Sequence, residues 1–140
     1  MSAELAQAPA AALKIVVAHH PLVWPREPAL TGSTRGGEAA AAALVRAGAH
    51  LFLSGHLHVM RDTPLREGAA EALAVTGGTL CTRLRGDPQG FNVIGVQDGR
   101  VTIARHGVAA GAITLLSLRT LAFADGWLTI DAAPETAAGA

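Results

Sequence analysis

Two stretches of the chain, "IVVAHHPLVW" at residues 15–24 and "LFLSGHLHVM" at residues 51–60, each run from apolar residues into a pair of histidines. The first run, "KIVVA" at residues 14–18, is short and rich in β-branched residues, and its apolar side chains occupy both odd and even positions. This pattern predicts a strand covered on both faces in a parallel sheet. "HLFLS", at residues 50–54, predicts a second strand. Each histidine pair therefore lies at or just beyond the end of a predicted strand.

The segment between these strands predicts a helix. "EAAAAALVRAGA", at residues 38–49, combines strong helix formers with Glu38 in the first turn, Arg46 in the last turn and Gly48 as the C-cap. In a strand-helix-strand unit the connection is right-handed and the strands are parallel, so both strands end at the same edge of the sheet. Because ligands usually bind at that edge, we expect the two histidine pairs to lie close together.

The rest of the chain predicts mostly antiparallel strands. Short apolar runs separated by turns occur at residues 59–65, 72–76, 91–97, 101–106 and 113–131. "QDGR", at residues 97–100, contains the Asp-Gly pair of a tight hairpin, and Asp125-Gly126 repeats it. The predicted fold class is α/β, with one β-α-β unit followed by mostly antiparallel strands.

The domain is expected to span residues 14–131. Residues 1–13 are alanine-rich and indicate the end of a helix that Pro9 interrupts. Residues 132–140 are expected to form a disordered tail.

Composition excludes several classes of partner. The chain has 140 residues, half of them hydrophobic, which suits one modest domain. Eleven basic and eleven acidic residues leave no net charge, so we expect no binding to a nucleic-acid polymer or a membrane. Cys81 has no cysteine to pair with, which weakly favours a reducing cytoplasm, and we expect its thiol to be a small core group rather than a nucleophile. We find neither a signal peptide nor an apolar run long enough to span a bilayer.

The histidines at the strand ends are candidate metal ligands. Neutral imidazole binds zinc, manganese and iron well. Gly55 allows a sharp turn, and the spacing of His56 and His58 lets two imidazoles leave one loop toward neighbouring points. His19 is the better candidate of its pair, because the following proline restricts His20. The first pair alone is more often an ordinary loop feature, and the second pair alone is as often a metal site as not, so the metal interpretation depends on the two pairs meeting.

His50 and His106 lack such a context, and we interpret both as structural. Trp24, close to the first histidine pair, could line a pocket, although packing is the commoner role.

"VVAHHPL" at residues 16–22, followed by "LSGHLH" at residues 53–58, resembles the C-terminal half of the calcineurin-like metallophosphoesterases. "GGTLCTRLRGDPQGFNVIGV", at residues 77–96, is similar to the strand region that follows in bacterial phosphodiesterase-like members. The resemblance covers roughly residues 5–106. It implies a β-sandwich flanked by helices that binds two divalent transition-metal ions (Mn, Fe or Zn) and hydrolyses phosphate esters, including cyclic nucleotides.

Carried over by position, the resemblance implies that His19 and His56 bind one ion and that His58 binds the other. The resemblance assigns His20 a catalytic role, in which it either supports a metal ligand without binding the metal or contacts the substrate. Arg83 and Arg85 could bind the substrate phosphate because guanidinium groups match phosphate oxygens, although their spacing also fits a solvated strand face.

The sequence lacks the family's earlier motifs, Asp-x-His, Gly-Asp-x-x-Asp and Gly-Asn-His-Asp/Glu, which supply the carboxylate and asparagine ligands. We therefore expect the chain to correspond to the second half of such an enzyme and to be inactive alone. We expect it to associate with an N-terminal half chain or with itself through an exposed sheet edge. The alternatives are a non-catalytic metal-binding module and an inactive truncated relic.

Overall fold

A computed structural model of the chain describes residues 2–26, 32–130 and 135–136. The helices are α1 (Ser2–Gln7) and α2 (Gly37–Arg46). The strands are β1 (Ile15–Ala18), β2 (Leu51–Ser54), β3 (Asp62–Glu67), β4 (Ala70–Thr76), β5 (Gly90–Gln97), β6 (Arg100–Ala109), β7 (Ala112–Ala124), β8 (Trp127–Thr129) and β9 (Glu135–Thr136). Sheet A has the order β1-β2-β4-β3, and sheet B has the order β5-β6-β7-β8 with β9 paired to β7. The chain is therefore a mixed α/β structure, as predicted.

Sheet A contains the predicted parallel pair. β1 and β2 are parallel, and Ala18 at the end of β1 lies beside Ser54 at the end of β2. β4 pairs antiparallel with β3, as predicted, through a tight hairpin with a φ of 63° at Gly68. It also pairs in parallel with β2, a neighbour that the sequence did not predict.

Helix α2 covers the outer face of sheet A. It ends at Arg46, before the predicted residue 49, because Ala47 caps it and Gly48 takes a left-handed φ of 90°. Its buried positions are Gly37, Ala41, Leu44 and Val45. Three of these pack with Val16 and Phe52 in the first core cluster. The alanine-rich segment is thus helical because its small side chains allow the helix to lie close to the strands.

Sheet B is built from three successive two-residue hairpins. Their turns are Asp98-Gly99, Ala110-Gly111 and Asp125-Gly126, and all six residues have positive φ. Positive φ at both central positions defines a type I′ turn, which suits Asn or Asp followed by Gly. The two Asp-Gly turns were predicted from the sequence. The Ala-Gly turn was not, because alanine rarely adopts this conformation.

Ala110 offers a direct stability test. Its φ of 49° is strained for alanine, whereas asparagine tolerates the left-handed region. We expect Ala110→Asn to raise the free energy of unfolding by about 0.5–1 kcal/mol in urea denaturation. Ala109→Asn, on the neighbouring strand residue, is the matched control and should bring no gain. Equal effects of the two substitutions would contradict this explanation.

The second core cluster fills the space between the two sheets. Sheet A contributes Leu51, Leu73 and Val75 to this cluster. Sheet B contributes Val101, Ile103, Leu121 and Leu128, and Ile130 follows directly after β8. The molecule therefore has three layers, α2, sheet A and sheet B. Residues 131–134 and 137–140 lie outside the described residues, so the predicted tail is described only where Glu135–Thr136 pair with β7.

A charged group also joins the sheets. The Asp62 carboxylate at the start of β3 forms ion pairs with Arg105 of β6 at 2.5 Å and with Arg119 of β7 at 3.4 Å. The side chain of Asp62 is 4% exposed and those of Arg105 and Arg119 are 17% and 9% exposed. This nearly buried cluster fixes β3 relative to sheet B.

Among the described strands, β1 lies at one edge of sheet A. We expected both of its faces to be buried, but only Val16, which faces α2, is buried. Ile15 and Val17 point to the opposite face and are 40% and 75% exposed. The prediction was wrong because the apolar pattern of a strand does not reveal how far the second sheet extends. The result is an edge strand with an exposed apolar face.

Neither described helix has the length and apolar character needed to cross a membrane.

Candidate metal centre

The parallel ends of β1 and β2 bring the first histidines together. The backbone N–H of Gly55, just after β2, donates a hydrogen bond to the carbonyl of His19, just after β1, at 3.2 Å. This bond fixes the two chain exits side by side. His19 and His20 therefore leave the sheet next to the loop that contains His56.

His19, His20 and His56 form what we call the histidine cluster. One ring nitrogen from each lies within 4.8 Å of the other two. Nδ1 of His56 and Nε2 of His19 are 3.3 Å apart. The ring centroids of His20 and His56 are 4.2 Å apart. The predicted convergence of the two strand ends is thus present in the structure.

The cluster fits a transition-metal ion. Two nitrogens bound to a tetrahedral zinc ion lie about 3.3 Å apart, given Zn–N bonds of about 2.0–2.1 Å. The separation of 3.3 Å between the His19 and His56 nitrogens matches this value. Among the described residues, the group contains three imidazoles and no carboxylate. Such a donor set suits zinc, iron or manganese better than the hard ions calcium and magnesium.

The loop after β2 is strained at both of its histidines. His56 has a φ of 66° and His58 a φ of 60°. Left-handed backbone is uncommon for residues other than glycine, although asparagine, aspartate and histidine adopt it more often than the rest, and such conformations concentrate at functional sites. We expected Gly55 to allow a sharp turn, but its φ is not positive and a Cβ there would meet nothing within 4 Å, so the turn does not require glycine at this position. The strain indicates that the loop is shaped to direct these imidazoles.

His58 is not part of the described group of three. Its Nδ1 lies 2.8 Å from the carbonyl oxygen of Arg83, and donation of this N–H leaves Nε2 as the available ligand atom. A hydrogen bond from one ring nitrogen to a carbonyl is the usual way in which a metal-binding histidine is oriented. The roles assigned to His58, His19, His56 and His20 from the resemblance stay predictions.

The surroundings of His56 favour the neutral form of its imidazole. The pKa of His56 is lowered by partial burial first, and then by the neighbouring charges of His20, His19, Arg85 and His58. A lowered pKa keeps the His56 imidazole neutral and able to bind a metal at neutral pH. The backbone of Arg83 contacts His58 directly, and Arg85 follows two residues later on the same loop.

Trp24 both packs and borders the site. Its indole packs against Leu57 and Val59, and its ring lies 6.4 Å from that of His56. The indole N–H donates to the Thr34 hydroxyl at 3.2 Å. The packing interpretation is therefore confirmed, and the indole also borders the histidine cluster.

The expectation that Cys81 is a core residue was wrong. The thiol is exposed, on the loop that follows β4. A hydrogen bond with the Thr79 hydroxyl at 3.0 Å is the first cause of its lowered pKa, and the backbone of Arg83 adds to the effect. This environment could not be predicted from the sequence, because it depends on how the loop turns back on itself.

The remaining histidines have structural contacts. His50 is buried, accepts from the Lys14 backbone N–H at 3.0 Å and lies 2.9 Å from the Gly126 carbonyl. Burial lowers its pKa. His106 stacks on Phe91 with a centroid distance of 5.2 Å.

No family model and no curated protein matches the chain. Among solved structures, it is similar to a double mutant of Vps29 from Entamoeba histolytica, with 15% identity and a TM-score of 0.42, over 65% of this chain and 48% of that one. It is also similar to Vacuolar Protein Sorting 29 from Cryptosporidium parvum, with 15% identity and a TM-score of 0.44, over 64% of this chain and 45% of that one. The chain thus spans about half the length of these structures.

Proposed function

We propose that the chain is the C-terminal half of a calcineurin-like metallophosphoesterase fold and that its histidine cluster binds metal for phosphate-ester hydrolysis. The observation that carries the proposal is the meeting of three imidazole nitrogens within 4.8 Å at the ends of two parallel strands. The β-α-β unit followed by antiparallel hairpins also fits the motif order of that superfamily.

The residues of this chain would hold and orient the reacting groups. His19 and His56 would bind one ion, and His58, oriented by the Arg83 carbonyl, would bind the second. These histidines would thereby hold divalent ions, which would supply Lewis-acid polarisation of a phosphate ester and activation of water. His20, in contact with both other rings of the cluster, would then support a ligand or contact the substrate. Arg83 and Arg85 are exposed beside these histidines and would bind the phosphate.

The proposal requires further ligands from outside the described residues of this chain. The described group contains no carboxylate to balance two divalent charges. The uncovered edge β1, with Ile15 and Val17 exposed, offers a strand-pairing surface next to the cluster. We propose that a polypeptide supplying the missing carboxylates, or a second copy of this chain, pairs there. The reducing cytoplasm is its proposed location, because Cys81 has no second cysteine.

The rival proposal is a non-catalytic module that holds one ion. It is favoured by the composition of the cluster, in which three imidazoles are sufficient for a single zinc ion. The two proposals differ in what a phosphate mimic should do. His19 and His20 are exposed, so a bound ion in a phosphoesterase centre would remain open to an anion.

The test is vanadate binding to the full chain with and without Zn²⁺ or Mn²⁺. We expect metal binding measured by calorimetry, and vanadate binding about tenfold tighter when the metal is present. We expect no turnover of bis-p-nitrophenyl phosphate by the chain alone, because the carboxylates are missing. Metal binding without any effect on vanadate would favour the rival. Robust turnover that His56→Ala abolishes would refute the half-enzyme proposal, and absence of metal binding would refute both.

A further inference from the structure

The loop between β4 and β5, residues 79–87, lies beside the histidines that follow β2, and we call it the arginine loop. Its first end is held by the hydrogen bond from the Gly90 N–H to the Thr79 carbonyl at 2.9 Å. Its last residue, Asp87, accepts from the Met60 N–H at 2.6 Å and pairs with Arg61 at 2.7 Å. Because the loop is attached at both ends, its exposed residues keep a defined position.

The middle of the loop is attached to the site itself. The Arg83 carbonyl contacts Nδ1 of His58 at 2.8 Å, and His58 is two residues along the chain from His56 of the histidine cluster. The Gln89 side-chain amide also donates to the Leu80 carbonyl at 2.9 Å, which holds the first half of the loop. A ligand at the histidine cluster would therefore lie beside this loop.

The charges of the loop favour an anion. Arg83 and Arg85 are exposed, and neither forms an ion pair with any described residue. The Asp87 carboxylate accepts hydrogen bonds from Arg61, so it does not neutralise Arg83 or Arg85. Although the whole chain has no net charge, this corner combines two free guanidinium groups with the histidine cluster. Guanidinium groups match the oxygens of a phosphate ester.

The same loop exposes two large apolar side chains. Leu80 is 63% exposed and Leu84 is 48% exposed, and Leu84 lies between the two arginines in the sequence. Single exposed leucines are ordinary on a protein surface. Two of them on one anchored loop, close in sequence to arginines that pair with no described carboxylate, offer an apolar contact to a ligand of this loop.

We infer that the arginine loop selects phosphate esters that carry an apolar group, such as an aryl or alkyl ester, over free phosphate and over esters of polar groups. The arginines bind the phosphate, and the leucines bury the apolar substituent. The inference deepens the proposed function and rests on it, because the ester would be the substrate of the histidine-bound metal.

The test compares inorganic phosphate with phenyl phosphate as ligands of the full chain, by calorimetry with and without Zn²⁺. Phenyl phosphate should bind about fivefold more tightly than phosphate. Leu84→Ser should remove this preference while leaving phosphate binding unchanged. Arg85→Ala should weaken both ligands by about tenfold. Val96→Ser, which changes a residue 56% exposed on β5, is the control and should leave both affinities unchanged.

The outcomes separate this inference from the proposed function. If zinc does not bind but phenyl phosphate is preferred through Leu84, the metal proposal fails and the ligand class of the loop stands. If zinc binds but the two ligands bind alike, or Val96→Ser has the effect of Leu84→Ser, the inference is overturned. Leu84-dependent sedimentation with phosphatidylglycerol vesicles, without a preference for phenyl phosphate, would overturn it in favour of a membrane surface.

Discussion

Replacing Asp62 by alanine is expected to lower the free energy of unfolding by about 3–5 kcal/mol. The substitution leaves Arg105 and Arg119, with side chains 17% and 9% exposed, without their shared carboxylate between the two sheets. Two unpaired, desolvated cations cost far more than the loss of an ordinary surface ion pair. Urea denaturation followed by circular dichroism measures the change.

The matched control is Glu67→Ala. Glu67 pairs with Arg46 at 2.8 Å, but these side chains are 34% and 60% exposed, so the expected loss is below about 0.5 kcal/mol. If Asp62→Ala does not fold, Arg119→Leu added to it removes one of the unpaired cations and should recover part of the stability. Equal effects of the substitutions at Asp62 and Glu67 would show that the buried cluster does not join the sheets.

Replacing His56 is expected to weaken Zn²⁺ binding by about a hundredfold or more, since one of three ligands is lost. His56→Ala and His56→Gly should weaken zinc binding equally, but the two variants should differ in the free energy of unfolding. The φ of 66° at this position is strained for alanine and open to glycine. The glycine variant should therefore be more stable than the alanine variant by about 1 kcal/mol. Calorimetry with zinc and urea denaturation measure the two effects.

His106→Ala is the control for this experiment. It removes an imidazole that stacks on Phe91 outside the histidine cluster, so zinc affinity should be unchanged. Retention of zinc affinity by His56→Ala would contradict the metal centre. Equal stability of the alanine and glycine variants would contradict the strain at His56.

The features that local pattern determines could be predicted from the sequence. Two short apolar runs joined by a helical segment predicted the parallel strands, and parallel strands must end at one edge. This is why the contact between His19 and His56 could be predicted from the sequence alone. The Asp98 and Asp125 turns were predictable because aspartate followed by glycine favours positive φ.

The features that depend on distant contacts could not be predicted. The exposure of Val17 depends on how far sheet B extends over β1, and nothing within the strand specifies that distance. The position of His58 depends on a carbonyl 25 residues away in the arginine loop. The exposure of Cys81 likewise depends on that loop, whose path is set by Asp87 and Gln89 rather than by the residues around the thiol.

The three hairpins of sheet B have a consequence for how the chain folds. Each joins neighbouring strands through a two-residue turn, so contacts form between segments that are close in sequence. The parallel pairing of β1 with β2 must instead close a long loop before any contact forms. Local contacts form fast and distant ones slowly, so the meander of β5 to β8 should assemble early, and the histidine-bearing sheet should settle against it afterwards.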